Sequence, residues 1–421
     1  MMNIKAFKGA SYNLDKITDP SQVVCPPYDV INKEEQDFYY RQNPYNFIRL
    51  ILNKQESGDD SSNNRYVRAS IFFKDWLKTQ ILKQDPQEAI YFYRQDYFCE
   101  DKEFSRLGFM GLMQLSESRI VYPHENTHVA PKMDRLELIK SVKSNLTPIF
   151  TIFSDRERFI ESVFNTHLSK IKPDLLLKDA QGVRNSVWKL EDKDAIQEIT
   201  AKMSDKQIFI ADGHHRYEVA SMYQSLMKEQ DKDYSPNKSY NYIMTYFTPL
   251  ESKGLCILPV HRIIKSKIDI EPLKKVFKIS KLKTMVDLED KLKSSSRKGC
   301  VFGLYHQNDV LLLELKDKKA VSNFFENKKY FINLDVAILD FFALKELLKI
   351  EKDAIIYTKE VDEARECVDS NTGSAAFILR PTSMEQIRDV ALCGEKMPPK
   401  STYFYPKLLS GLVVHKFDSV V

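Results

Sequence analysis

Apolar and polar positions along this chain follow two periods. From Tyr66 to Leu82, the residues Ala69, Phe72, Phe73, Trp76, Leu77 and Ile81 recur at three- and four-residue spacing, which predicts a helix with one apolar face. Ala89 to Phe98 alternates instead and is rich in aromatics, which predicts a strand. Phe104 to Leu115, with Gly108 and Gly111, reads as its antiparallel partner across the charged turn Glu100-Asp101-Lys102-Glu103. Helical spacing returns after Pro131 through Leu136, Ile139 and Val142, and again over Asp155 to Leu168, Asp194 to Ser204 and Asp335 to Lys349. Short apolar runs at Pro148 to Phe153, Asn185 to Leu190, Tyr242 to Phe247, Gly254 to Leu258, Ile355 to Tyr357 and Ala375 to Leu379 predict strands. Cys300 to Tyr305 and Asp309 to Leu315 predict a second hairpin. Phe47 to Leu52, apolar except for Arg49, reads as a buried strand, and a last strand is expected near Leu412 to Val414. Ser383-Met-Glu-Gln386 has the form of a capping box, and Gly394 stops its helix.

One junction stands out. Gln207 to Ala211 predicts a buried strand, and Tyr217, Ala220, Tyr223, Leu226 and Met227 predict a helix immediately after it. Asp212-Gly213-His214-His215-Arg216 lies between them. A strand-to-helix turn points free backbone N–H groups outward, and the helix dipole favours an anion there. Gly213 lets the backbone approach closely, and Arg216 can fork onto a phosphate or carboxylate. A plain helix cap would need one polar residue; this turn has four titratable groups in five positions.

Composition narrows the classes. A chain of 421 residues predicts two domains, with 43% hydrophobic and 29% charged residues typical of a soluble globular protein. No run approaches the roughly 18 uncharged apolar residues of a membrane span, and Met1 to Gly9 lacks the apolar core of a signal peptide, so a cytoplasmic protein is expected. The six cysteines are scattered without a C-x-x-C pair, so each is expected to pack as a small hydrophobe. The net charge of +4 is small, and the lysines between Lys265 and Lys298 alternate with acids, which disfavours nucleic acid as a partner.

Other polar clusters join stiff turns. Cys25-Pro26-Pro27-Tyr28-Asp29 would present Tyr28 and Asp29, unless the prolines merely end an edge strand. Pro123-His124-Glu125-Asn126-Thr127 offers a His-Glu pair fit for a general base, although a polar surface loop has the same composition. Lys400-Ser401-Thr402 could clamp a phosphate, or could simply open a strand with Lys400 solvated. His261-Arg262 ends a strand and carries little signal alone. No metal site is expected, because the histidines and cysteines lack ligand spacing. Glycine-rich dinucleotide and P-loop motifs, a serine-hydrolase elbow and the protein-kinase signature set are all missing.

Gly213-His-His-Arg-Tyr-Glu-Val-Ala220 resembles the Gly-x-x-Arg-x-x-x-Ala phosphate motif of the ParB/sulfiredoxin-like superfamily, and Asp-Gly-His-His-Arg resembles its free-serine-kinase branch. The chain as a whole is similar to the DUF1015 family through Val24 to Ile31, Pro123 to Thr127, Ala211 to Ala220 and Met397 to Lys407. The resemblance implies an α+β protein: a ParB/sulfiredoxin-like catalytic region over 1–255 and a smaller C-terminal α/β domain over 256–421 that closes the site. It further implies phosphoryl transfer involving free serine and O-phosphoserine, with ATP or ADP and Mg2+ as cofactors. The partner would be a phosphorylated metabolite or nucleotide. Asp212, His214, His215, Glu125 and His124 are the expected catalytic residues. Gly213, Arg216, Lys400, Ser401, Thr402, Tyr28 and Asp29 are the expected phosphate or substrate contacts. An O-phosphoserine phosphatase and a nucleotide-binding, DNA-associated regulator are the alternatives.

Overall fold

The computed structural model describes residues 2–99, 102–115, 120–125, 129–296, 299–326 and 328–417. The expected turn residues Glu100 and Asp101, and Asn126 and Thr127 of the His-Glu stretch, lie outside these. The architecture is α+β. Two compact units divide the chain: Met1–Tyr122, Thr127–Leu255 and Pro406–Val421 form the first, and Pro123–Asn126 and Cys256–Tyr405 the second. The chain passes from the first unit to the second between Leu255 and Cys256. The C-terminal domain was expected to run to residue 421, whereas the last segment returns to the first unit. Sequence periodicity reports local elements and carries no sign of such a return.

The first unit is built on a nine-stranded sheet. Its strands follow the order Val121–Tyr122, Ile208–Asp212, Ile149–Phe153, Tyr242–Pro249, Lys102–Gln114, Ile90–Cys99, Arg184–Leu190 and Leu175–Lys178, with Ile4–Lys5 paired to Lys102–Gln114. The predicted hairpin is present and antiparallel, with Tyr91 opposite Met110. Ile208–Asp212 runs antiparallel to Ile149–Phe153 and parallel to Val121–Tyr122. Helices Phe159–His167 and Lys193–Met203 bury Ile160, Val163, Phe164, Ile199 and Met203 in the core beneath the sheet, against Phe92, Phe109 and Trp188. A second core gathers Trp76 and Phe73 of helix Arg65–Lys78 with Phe47, Ile48 and Val414. Helix His214–Gln230 packs Val219 and Tyr223 on Leu136 and Ile139 of helix Val129–Val142.

The second unit has a six-stranded sheet ordered Phe277–Leu282, Asp309–Leu315, Val301–His306, Ala375–Ile378, His261–Ile264 and Ile355–Thr358, including the predicted second hairpin. Its core holds Leu288, Leu292, Ile263 and Ile378. The Ser383 capping box forms with both hydrogen bonds.

Three local expectations are corrected. Ile48–Ile51 is a short helix, not a strand. Asn46 Oδ1 accepts from the Ile48 N–H at 3.0 Å and so starts the turn, a choice that a short apolar run cannot show. Near the C-terminus the strand is His415–Lys416, with Val414 making only a single bridge to Ala10. Among the cysteines, Cys25 and Cys300 are buried thiols, but Cys99 and Cys256 are each disulfide-bonded, which scattered single cysteines do not reveal.

Candidate active site

Strand Ile208–Asp212 buries its first four residues in the sheet and delivers Asp212 to the sheet's end. The backbone then reverses through Gly213, which sits at φ +93° as the N-cap of helix His214–Gln230. Only glycine takes this conformation without cost, and space is also short: a Cβ would lie 3.0 Å from Ile149 Cγ2 and 3.1 Å from Arg216 Cζ. Helical geometry puts Arg216 four residues after Asp212, on the same face, and Arg216 Nη2 donates to Asp212 Oδ2 at 2.8 Å. Arg216 Nη1 donates to the Pro148 carbonyl. Lys407 donates to the other oxygen of Asp212, Oδ1. Side-chain exposures of 15% for Asp212, 13% for Arg216 and 10% for Lys407 place this trio largely out of water.

Burial works against the charge of Asp212, but Lys407, Arg216 and the field of His214 outweigh it and hold the carboxyl well below the ordinary range. His214 is buried and His215 half-buried beside it. Arg216 also lines a cavity of about 70 Å³ with Tyr28, Arg135, Ser144 and Thr147. The Arg135 guanidinium lies 4.1 Å from the centre of the Tyr28 ring. Burial and the charge of Asp29 push the Tyr28 phenol up to about 12, so it is a hydrogen-bond donor at neutral pH. Asp29 itself is exposed.

The remaining expected residues belong to the second unit. His124 is fully buried, with a ring nitrogen 3.4 Å from Thr402 Oγ1. Glu125 Oε1 accepts from the Lys400 N–H at 2.8 Å, and the His124 carbonyl accepts from the Met397 N–H at 2.7 Å. Ser401 donates to the Pro398 carbonyl at 2.6 Å. Lys400 is exposed and holds φ at +58°. The Glu125 carboxylate therefore organises the Pro-Pro-Lys-Ser-Thr turn. His261 is also buried, and Arg262, at 0% exposure, is paired to Asp340 at 2.8 Å. Among the described residues, no group of three or more His, Cys, Asp or Glu side chains is disposed to hold a metal ion, and no helix is long and apolar enough to cross a membrane.

Asp212, Gly213, His214, His215, Arg216 and Tyr28 are thus gathered in the first unit, and His124, Glu125 and Lys400 to Thr402 in the second. Sequence reasoning did not single out Lys407 or Arg135. The signal for Lys407 was its place at the end of the Met397 to Lys407 stretch, where nothing local tied it to Asp212, 195 residues away.

The polar centre of this α+β protein is a strand-to-helix loop in which one carboxylate is shared by two cations. The chain belongs to the DUF1015 family: the family model, described as "Protein of unknown function (DUF1015)", matches residues 4–337. No curated protein matches the sequence. Among solved structures, a mutant of free serine kinase in complex with AMP is similar at 13% identity and a TM-score of 0.35, over 68% of this chain and 84% of that one. A conserved hypothetical protein from Pyrococcus furiosus is similar at 15% identity and a TM-score of 0.35, over 71% and 94%. SbnI from Staphylococcus aureus, with a C-terminal truncation, is similar at 10% identity and a TM-score of 0.35, over 72% and 85%. At these scores the chemistry has to be argued from the chain's own residues.

Proposed function

We propose that the Asp212–Arg216 junction binds the phosphate of a nucleotide or phosphorylated metabolite, and that the chain is a small-molecule phosphotransferase. The observation that carries this reading is the Arg216 guanidinium, largely buried and fixed by Asp212 and Pro148 at a glycine-opened helix start. Two of its five donors are directed to those partners, and a fork of donors remains for an oxyanion. Phosphoryl transfer depends on positioning and charge neutralisation more than on covalent chemistry, so a site of this kind suits it. Asp212 serves as the anchor of the cation and not as a base, because a carboxylate held this far down accepts protons poorly at neutral pH. Proton transfer falls to His214 or His215, the imidazoles that follow Asp212 in the same loop.

The finer reading is transfer between a nucleotide and free serine, with ATP or ADP as donor and Mg2+ carried mainly by the phosphates. Its test is to incubate the purified chain with Mg2+ and serine plus ATP, serine plus ADP, or O-phosphoserine alone, and to follow phosphorus NMR. O-Phosphoserine formed with either nucleotide supports the kinase reading. Inorganic phosphate released from O-phosphoserine alone replaces it with a phosphatase. No turnover in any arm, together with a salt-dependent shift of DNA on a gel, would replace it with the regulator.

A further inference from the structure

Lys407 has a setting that an ordinary C-terminal lysine lacks. It is carried by the segment that rejoins the first unit at Pro406, and its backbone is pinned by two fully buried side chains. Arg106 Nη2 donates to the Pro406 carbonyl at 2.6 Å, and Gln95 Nε2 to the Lys407 carbonyl at 3.2 Å. The ammonium is thereby brought to Asp212 Oδ1 with 10% of the side chain exposed. Ordering and desolvating a long charged side chain opposes folding, and a single carboxylate that already has a guanidinium partner does not need a second cation. The three side chains Asp212, Arg216 and Lys407 by themselves sum to +1, and all three are largely out of water. An anion of the ligand would balance it.

We propose that Lys407 is the second phosphate-binding cation of this junction, and that Asp212 is the shared counter-ion that positions Lys407 and Arg216 against one ligand. The ligand class is a phosphate monoester or nucleoside diphosphate, whose dianionic group calls for more than one cation. This inference rests on the reading of the junction as a phosphate site and adds to it a residue from the far end of the chain. A purely structural ion pair would instead strap the C-terminal segment down and leave anion affinity untouched.

Calorimetry with the full-length chain separates the two, using ADP and inorganic phosphate as probes. Lys407→Met is expected to weaken both by about tenfold or more, the scale of losing one partner of a desolvated charge contact, and Lys407→Arg to recover most of the loss. Because Lys407→Met leaves a buried carboxylate with one partner fewer, the double variant Lys407→Met/Asp212→Asn is measured alongside it. It is expected to regain melting temperature while its anion affinity stays low. Wild-type affinity in Lys407→Met, or in the folded double variant if the single one does not fold, overturns this inference and leaves the phosphate reading standing. A wild-type chain that binds neither probe overturns the phosphate reading and the role of Lys407 with it.

Discussion

Arg216 Nη2 meets Asp212 Oδ2 at 2.8 Å, one helical turn after the carboxylate leaves the sheet. The pair fixes the direction of the guanidinium, and Lys407 together with Arg216 keeps the acid ionised against its burial. Arg216→Ala should therefore weaken binding of ADP by about 2–4 kcal/mol, the cost of losing a charge-assisted contact in a desolvated site. Arg216→Lys should restore little, because the fork that reaches Asp212 and the Pro148 carbonyl together is lost. Unchanged ADP affinity in the alanine variant, read by calorimetry, would remove Arg216 from the site.

Gly213→Ala combines two costs. The position has φ +93°, and the new methyl would meet Ile149 and Arg216 at 3.0–3.1 Å. A left-handed non-glycine residue costs about 1–2 kcal/mol before any clash. We expect a loss of about 2–3 kcal/mol in urea unfolding, together with weaker ADP binding because Arg216 must move. A loss below about 0.5 kcal/mol would mean that the turn relaxes freely.

The two units should respond to acid over different ranges. In the second unit, burial first and Arg262 next bring His261 from its ordinary 6.5 down to about 4. Its Nδ1 accepts from the Leu379 N–H at 3.2 Å, which fixes the neutral ring. The unfolded chain takes up a proton near pH 6.5 while the folded one refuses it, so stability is lost as pH falls from about 6.5 to about 4, by up to roughly 3 kcal/mol. In the first unit Asp212 has the same sign in a lower window: its contribution is intact above about pH 4 and fades only below it. Hydrogen exchange of peptides from 256–405 should accelerate between pH 6 and 4 after correction for intrinsic rates, and His261→Gln should flatten that response. A pH-independent wild type in this range would refute the assignment.

Glu125 separates positioning from catalysis. Its carboxylate holds the Lys400 N–H at 2.8 Å, so Glu125→Gln, which keeps an acceptor, should cost well under 1 kcal/mol, and Glu125→Ala about 1–2 kcal/mol. If the residue only organises the turn, the glutamine variant keeps nearly full turnover. A glutamine variant as stable as wild type but a hundredfold slower would make the carboxylate a reacting group instead.

The elements legible in the sequence were those with an unambiguous period. The Ile90–Cys99 and Lys102–Gln114 hairpin, helix His214–Gln230 and the Ser383 cap were all visible from spacing alone. Phe47 to Leu52 was misread because five apolar residues around Arg49 fit either period, and the deciding hydrogen bond comes from Asn46, outside the run. The loop from Asp212 to Arg216 was legible because its chemistry is contiguous. Lys407 and the Pro148 carbonyl were not, since they reach the same loop through tertiary pairing over 195 and 68 residues.

The return of the last segment also sets an order of assembly. Ala10 pairs with Val414 and Cys25 with Ser410, so these two positions have partners that are made far later in synthesis. The separation between Ala10 and Val414 is 414 − 10 = 404 positions. At about 5–20 residues per second, translation leaves Ala10 waiting roughly twenty to eighty seconds for Val414. When Tyr405 has been added the second unit is complete, while the first still lacks Lys407, Ser410 and Val414. The later-made unit is thus the first whose full complement of residues exists, and Ala10 and Cys25 gain their bridge partners only after it.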